Sequence, residues 1–344
     1  MRTVGYAYSP EFLKHDYWDH PECRGRLESV MSLLERSGML SALIPIAFAP
    51  ASKDTLALIH DRDYIDELDR FCVHGGGMVG ADTYAVEESF DVAALAVGAT
   101  IGSAQAVLRG DVQRAFALVR PPGHHAFADH GEGFCLFNNA AFAARVALDE
   151  FGLERVMIVD WDVHHGNGTQ RIFYSDPRVL YVSSHQSPLY PGTGEAEEIG
   201  WGAGKGTTIN IPLPPGVSDM GFAMVWDSIV VPAARRFRPQ FIVISAGYDA
   251  HWKEQLYQVR MRASLSGFAD MGRRLSRLAD EFCEGRMMAV LEGGYDFDVL
   301  ANGVLNTMHV LRDDGEVTDP FGPYMGRETQ IDKHIELIRK IHGL

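Results

Sequence analysis

The chain has 344 residues, 46% of them apolar, and a formal net charge of −15. So much apolar side chain supports a large core and excludes global disorder. The acidic surplus argues against nonspecific nucleic-acid binding, which needs a basic surface; it suits cationic substrates or plain solubility.

The N-terminal MRTVGYAYSPEF has no long apolar stretch and does not read as a secretory signal. Cys23, Cys72, Cys135 and Cys283 are scattered without a CxxC pair. That spacing points to free thiols in a reducing, cytoplasmic setting. No repeat and no Pro/Gly/Ser-rich linker divides the chain, so one domain over residues 1–344 is expected.

Residues 65–73 read as helix. They precede Gly75-Gly76-Gly77-Met78-Val79-Gly80, a formal GxGxxG that lacks the preceding strand a dinucleotide site requires. Asp91–Arg109 is helix-like. Its uncharged core, Val92–Leu108, falls short of the roughly 20 strongly apolar residues of a membrane span and reads as a buried helix. The apolar run Ala115–Val119 then leads into Arg120-Pro121-Pro122-Gly123-His124-His125. After a helix-like Asn138–Phe151, Val156–Val159 leads into Asp160-Trp161-Asp162-Val163-His164-His165-Gly166. Val179–Val182 leads into Ser183-Ser184-His185. Gly204-Lys205-Gly206-Thr207 is only a fragment of a phosphate loop, with Ile199 where that motif's first glycine belongs. A helix-like Ser218–Phe237 precedes Phe241–Ile244, which ends in Ser245-Ala246-Gly247-Tyr248-Asp249. Another, Ser264–Cys283, precedes Met287–Leu291, which ends in Glu292-Gly293-Gly294-Tyr295. There is no GxSxG nucleophile elbow.

Short continuous apolar runs suit strands buried on both faces. Their alternation with helices predicts an α/β fold with a mainly parallel sheet. In such sheets ligands bind beyond the carboxyl ends of the strands. The polar clusters fall at those ends, which predicts one composite site.

Asp160, Asp162 and His164 are spaced i, i+2, i+4. On an extended segment they share a face, and burying them without a partner is costly. A divalent metal would supply one. The Asp/His/Asp donor set suits Zn²⁺, and Fe²⁺, Mn²⁺ or Co²⁺ use the same atoms. Asp249 reads as a third ligand or as a helix cap; His185 and His251 are alternative ligands. His124 and His125 read as an acid–base pair or as surface histidines. Tyr295 reads as a donor to a developing oxyanion or as a structural tyrosine.

Seven strings in order carry a resemblance: His20-Pro21-Glu22, RPPGHHA at 120–126, GFCLFNNAA at 133–141, VDWDVHHGNGTQ at 159–170, PGTG at 191–194, SAGYDAH at 245–251 and LEGGY at 291–295. Together they resemble the histone deacetylase family, which includes bacterial acetylpolyamine amidohydrolases. The wording is similar to its class II-like branch. The resemblance implies a three-layer α/β/α fold of the arginase–deacetylase type, with a mainly parallel sheet of about eight strands. It implies a hydrolase that removes acetyl or other short acyl groups from lysine or polyamine amines, with one Zn²⁺ on Asp162, His164 and Asp249. His124, His125 and Tyr295 match the catalytic positions, Asp160 the partner of His124, and Asn167 the partner of His125. Class I members carry Asp at that last position. Asn cannot stabilise an imidazolium as a carboxylate does, so His125 should lose its proton more readily.

The resemblance also implies a tunnel with Gly133, Phe134 and Tyr190 on its walls, Leu256 at its rim and Asp82 positioned to hold substrate. Potassium would map to Asp160, Asp162, His164, Ser183 and Ser184, and a second ion to carbonyls of Phe173, Asp176, Val179 and Thr207. Two segments depart from the family, Cys23–Arg26 and the stretch after Asp249, and both are expected at the tunnel mouth. Leu256 stands where polyamine-specific relatives carry a gatekeeper Glu, which disfavours that specificity. A binuclear manganese ureohydrolase on the same fold and a non-catalytic acyl-lysine binder are the competing readings. A homo-oligomer is compatible with the sequence; a membrane or nucleic-acid partner is not expected.

Overall fold

The computed structural model describes residues Met1–Leu344. Its strands, in chain order, are β1 (Val4–Ala7), β2 (Ile44–Pro45), β3 (Gly77–Met78), β4 (Tyr84–Ala85), β5 (Arg114–Ala117), β6 (Val156–Asp160), β7 (Val179–Gln186), β8 (Thr208–Leu213), β9 (Phe241–Ala246) and β10 (Met287–Leu291). β3 and β4 form a small antiparallel hairpin. The other eight make one sheet in the order β2-β1-β5-β10-β9-β6-β7-β8, and every pairing is parallel.

Each residue of β5, β6, β7, β9 and β10 is buried, as runs such as Phe-Ile-Val-Ile and Met-Met-Ala-Val-Leu require when helices cover both faces. Helices Ser89–Arg109 and Asn139–Asp149 pack together against the sheet, and Gly25–Arg36, Phe297–Arg312 and Leu265–Phe282 pack side by side in another helical layer. The result is the three-layer α/β/α arrangement. The order fixes where a ligand can sit. The chain builds β1 and β2, returns to β5, jumps to β6 and continues outward through β7 and β8. It then fills the gap with β9 and β10. The carboxyl ends of β5, β10, β9 and β6 therefore converge where the winding direction changes.

The five expected strands are present. β1, β2 and β8 were not anticipated, because two are very short and Thr208–Leu213 mixes polar and apolar residues. The expected continuous helix Ser218–Phe237 is interrupted by a π turn at Trp226–Val230, which ends two residues before Pro232. Proline has no N–H to donate, and a widened turn is one way to absorb that. β6 ends at Asp160, so Asp162 and His164 lie on a loop. The two-residue alternation expected to align all three therefore does not extend beyond the strand.

Helix Ser89–Arg109 has the length and apolarity of a membrane span, yet its most apolar window is 67% buried inside this fold. Gly98 lies against the backbone of Ala49, and a Cβ there would run into that carbonyl. Intrinsic propensity favours Ala over Gly in a helix by about 1 kcal/mol; overpacking costs about 1–3 kcal/mol. The contact should win. Gly98→Ala should lower the urea midpoint by an amount equivalent to roughly 1–2 kcal/mol. A raised midpoint would show that the close approach is absent.

Candidate active site

The loops after β6 and β9 bring three ligand-type side chains together. His164 Nδ1 lies 3.1 Å from Asp162 Oδ1 and 3.2 Å from Asp249 Oδ2. Backbone N–H groups also hold these carboxylates: Gly293 donates to Asp162 Oδ2 at 2.8 Å, His164 to Asp162 Oδ1 at 2.9 Å, and Val163 to Asp249 Oδ1 at 2.9 Å. Asp249 Oδ2 is buried and receives no well-aligned hydrogen bond, its near polar neighbour being that same imidazole nitrogen of His164. Asp249 is thus no helix cap. A Cβ on Gly293 would collide with both Asp249 and Asp162, and one on Gly247 would collide with Asp162, so the glycines keep this cradle open.

Burial disfavours charge on His164, but Asp162 and Asp249 outweigh it and raise its pKa to about 9. Asp249 is pushed up to about 6 by burial and by the neighbouring Asp162. An oxygen–nitrogen–oxygen set with one orphaned carboxylate oxygen fits a divalent ion, which would replace the imidazole proton.

The turn after β5 carries the tandem histidines, and Gly123 admits it because a Cβ there would strike the backbone at Asn139. His124 Nδ1 lies 3.0 Å from Asp160 Oδ2, and His125 Nδ1 lies 2.8 Å from Asn167 Oδ1. The two rings are 4.0 Å apart. Both histidines are buried rather than on the surface. Burial works against charge on each. For His124 the carboxylates of Asp160 and Asp162 win, and its pKa rises to about 10. For His125 burial is reinforced by charge on His124 and His164, and its pKa falls well below 6.5. Asp160 is therefore a partner of His124 and lies outside the Asp162–His164–Asp249 group.

A pocket of about 600 Å³, open mouth included, is lined by Asp82, Pro122, His124, His125, Gly133, Phe134, His164, Tyr190, Leu256, Tyr257, Gly293 and Tyr295. Phe134 and Tyr295 meet edge to face at 5.7 Å, and Tyr190 meets His125 at 5.2 Å. Phe134 has a left-handed φ of 68°, which turns its ring into the wall. Burial holds the Tyr295 phenol well above its ordinary pKa, and hence protonated.

The alternative ligands lie elsewhere. His185 bonds Ser183 Oγ at 2.9 Å and the Gly194 carbonyl at 3.0 Å, and His251 stacks on Trp252. Ser184 Oγ is buried and unpartnered.

The segment expected at the rim is only partly there. His20 packs edge-on against Phe134, but Glu22 and Arg26 are fully buried. Glu22 takes both arms of Arg120, at 2.6 and 2.7 Å, and one arm of Arg26 at 2.9 Å. Arg26 also bonds the carbonyls of Glu292 and Gly294, and its guanidinium lies 4.9 Å from the centre of the Tyr295 ring. Glu292 receives the N–H groups of Gly123 and His124 at 2.7 and 3.1 Å. Sequence reasoning missed these supports. The available signal was Glu22 and Arg120 inside motif strings, where no surface role needed them.

A candidate metal-ligand group, a pair of histidines and a phenol thus face one small space, a set of groups that suits amide hydrolysis. The description "Histone deacetylase domain" matches residues 20–311. A "Probable deacetylase" from Archaeoglobus fulgidus is 45% identical over 299 residues, covering 86% of this chain and 82% of that protein. A "Histone deacetylase-like amidohydrolase" from Pseudomonas aeruginosa is 39% identical over 292 residues, covering 85% and 75%. The crystal structure of the HDA15 HD domain superposes with a TM-score of 0.89 at 34% identity, covering 99% of this chain and 95% of that one. The chain belongs to the histone deacetylase family and is an amide-hydrolysing enzyme.

The proton on His164 gives a sign to metal binding. Its raised pKa means that a divalent ion competes with a proton at every pH below about 9. Zinc affinity, measured against a competing chelator, should weaken as pH falls from 8 to 6, by up to roughly tenfold per unit. An affinity independent of pH would contradict this ligand set.

Proposed function

We propose that the protein, as one catalytic domain over residues 1–344, is a zinc-dependent deacylase that removes acetyl or other short acyl groups from acyl-lysine or acylated polyamines. The observation that carries this reading is the orphaned Asp249 Oδ2 facing His164 on the floor of a pocket that also presents His125 and Tyr295.

Asp162, His164 and Asp249 would hold the ion. When bound, zinc supplies Lewis acidity toward the amide carbonyl and lowers the pKa of water. The protein's own groups do the rest. His125, kept neutral, takes the water proton and delivers it to the departing amine. His124, held cationic by Asp160, acts electrostatically. The Tyr295 phenol donates to the carbonyl oxygen as negative charge develops there. Phe134, Tyr190 and Pro122 flank the acyl chain and limit water. Asp82, at the mouth, accepts from substrate N–H groups.

Potassium would be held around Asp160, Ser183 and Ser184, where the unpartnered Ser184 hydroxyl supports a ligand, with a second ion on the carbonyls of Phe173, Asp176, Val179 and Thr207. A binuclear manganese site has less support. The other buried ligand group, His124, Cys135 and Glu292, contributes one carboxylate and a thiol, where two hard ions want bridging carboxylates.

Acetyl-lysine peptides, longer acyl-lysines and acetylpolyamines should include substrates of the metal-replete protein, with turnover lost to a chelator and restored by zinc. If none is hydrolysed, the reading is wrong. Tyr295→Phe removes only the hydroxyl. Because that contact strengthens in the transition state, kcat should fall roughly 10²-fold or more while KM and metal content change little. Wild-type turnover with a lowered melting temperature would make Tyr295 a structural residue only.

A further inference from the structure

The carbonyl oxygen of Asn167 faces His125, and its amide nitrogen faces Glu132. Nδ2 donates to Glu132 Oε1 at 2.6 Å. Oδ1 accepts from the Gly168 N–H at 3.1 Å and lies 2.8 Å from His125 Nδ1. A carboxylate can only accept and a backbone N–H can only donate, so these two neighbours admit one orientation of the amide. With Oδ1 as the acceptor, His125 must carry its proton on Nδ1. Neutral His125 then presents the unprotonated Nε2 to the pocket, which is the tautomer a general base needs. If the amide flipped, Nδ2 would take the place of Oδ1 and force the proton onto Nε2.

We propose that Glu132 is a positioning residue: it locks the Asn167 amide and so sets the tautomer of His125. The proposal rests on the reading of His125 as the base. Glu132 does not itself line the pocket; its side chain is 30% exposed, and its other carboxylate oxygen lies 3.7 Å from His130 Nε2. Its side chain therefore reaches the chemistry through Asn167.

The same contact accounts for an amide rather than a carboxylate at position 167. A second carboxylate there would sit about 2.6 Å from Glu132. Like charges at that distance force one of them to protonate or move. Residues 132 and 167 are thus coupled: an amide at either position tolerates a carboxylate at the other, and two carboxylates do not.

The test is a double-mutant cycle on metal-replete protein, with kcat, KM, metal content and melting temperature measured for each variant. Glu132→Ala should lower kcat about tenfold with little change in metal content, and Glu132→Gln, whose carbonyl still accepts from Asn167, should restore most of it. Asn167→Asp should be impaired about tenfold or more beside Glu132 and should recover in the Glu132→Gln background, where the introduced amide donates to the new carboxylate. Equal losses from Asn167→Asp in both backgrounds, or wild-type kcat in Glu132→Ala, would overturn the proposal alone. His125→Ala with near-normal turnover would overturn the underlying reading as well.

Discussion

Four carboxylates, Asp160, Asp162, Asp249 and Glu292, are fully buried at the carboxyl ends of the central strands, and the rest of the site follows from making that arrangement stable. Isolated buried charges are prohibitive, so each must find donors, a cation or a proton. Backbone N–H groups of Asp162, Val163, His164, Gly293, Gly123 and His124 supply part of what is needed. Tyr181 donates to Asp160 at 3.0 Å. Glu292 is pushed up to about 7 by burial and partly relieves itself by holding a proton. What is left over is negative charge concentrated at the floor of the pocket. It keeps His124 cationic, draws a proton onto His164 and makes the cradle receptive to a divalent ion.

The same constraint explains the layer beneath the site. Two arginines and one glutamate, all buried, join the chain near Glu22 to the loops after β5 and β10. Removing one member of such a cluster leaves an uncompensated charge, so the cluster behaves as a unit. Its contacts to the carbonyls on either side of Gly293 fix the segment that places Tyr295 over Arg26. The charge-bearing site is therefore held from below by a second set of paired charges, while the sheet supplies only the scaffold to which both are attached.

Much of this is visible in the residues. Strands buried on both faces show as apolar runs, and in a parallel sheet their polar ends are where ligands bind; Asp162, His164, Asp249, His124, His125 and Tyr295 all follow such runs. The parts that stayed hidden depend on contacts between residues far apart in the chain. β8 reads poorly because Asn210 and Thr208 interrupt its apolar pattern, and Asn210 has a partner in Gln170 that only the fold supplies. Spacing alone groups Asp160 with Asp162, whereas the motif resemblance pairs it with His124, and the structure shows that second contact. Glu132 and Asn167 are 35 positions apart, and nothing local marks them as a pair. Glu22 and Arg120 are 98 apart, and burial rather than sequence reveals what they do.

We propose that Asp162, His164 and Asp249 form one metal site at the convergence of β6, β9 and β10. The most direct measurement is metal content per chain, by elemental analysis, of the purified protein and of Asp249→Ala after exposure to zinc and removal of excess. The wild-type chain should retain about one ion and the variant almost none, since a site left with two protein ligands binds weakly. Full stoichiometric retention by a folded Asp249→Ala protein would contradict the account at its foundation.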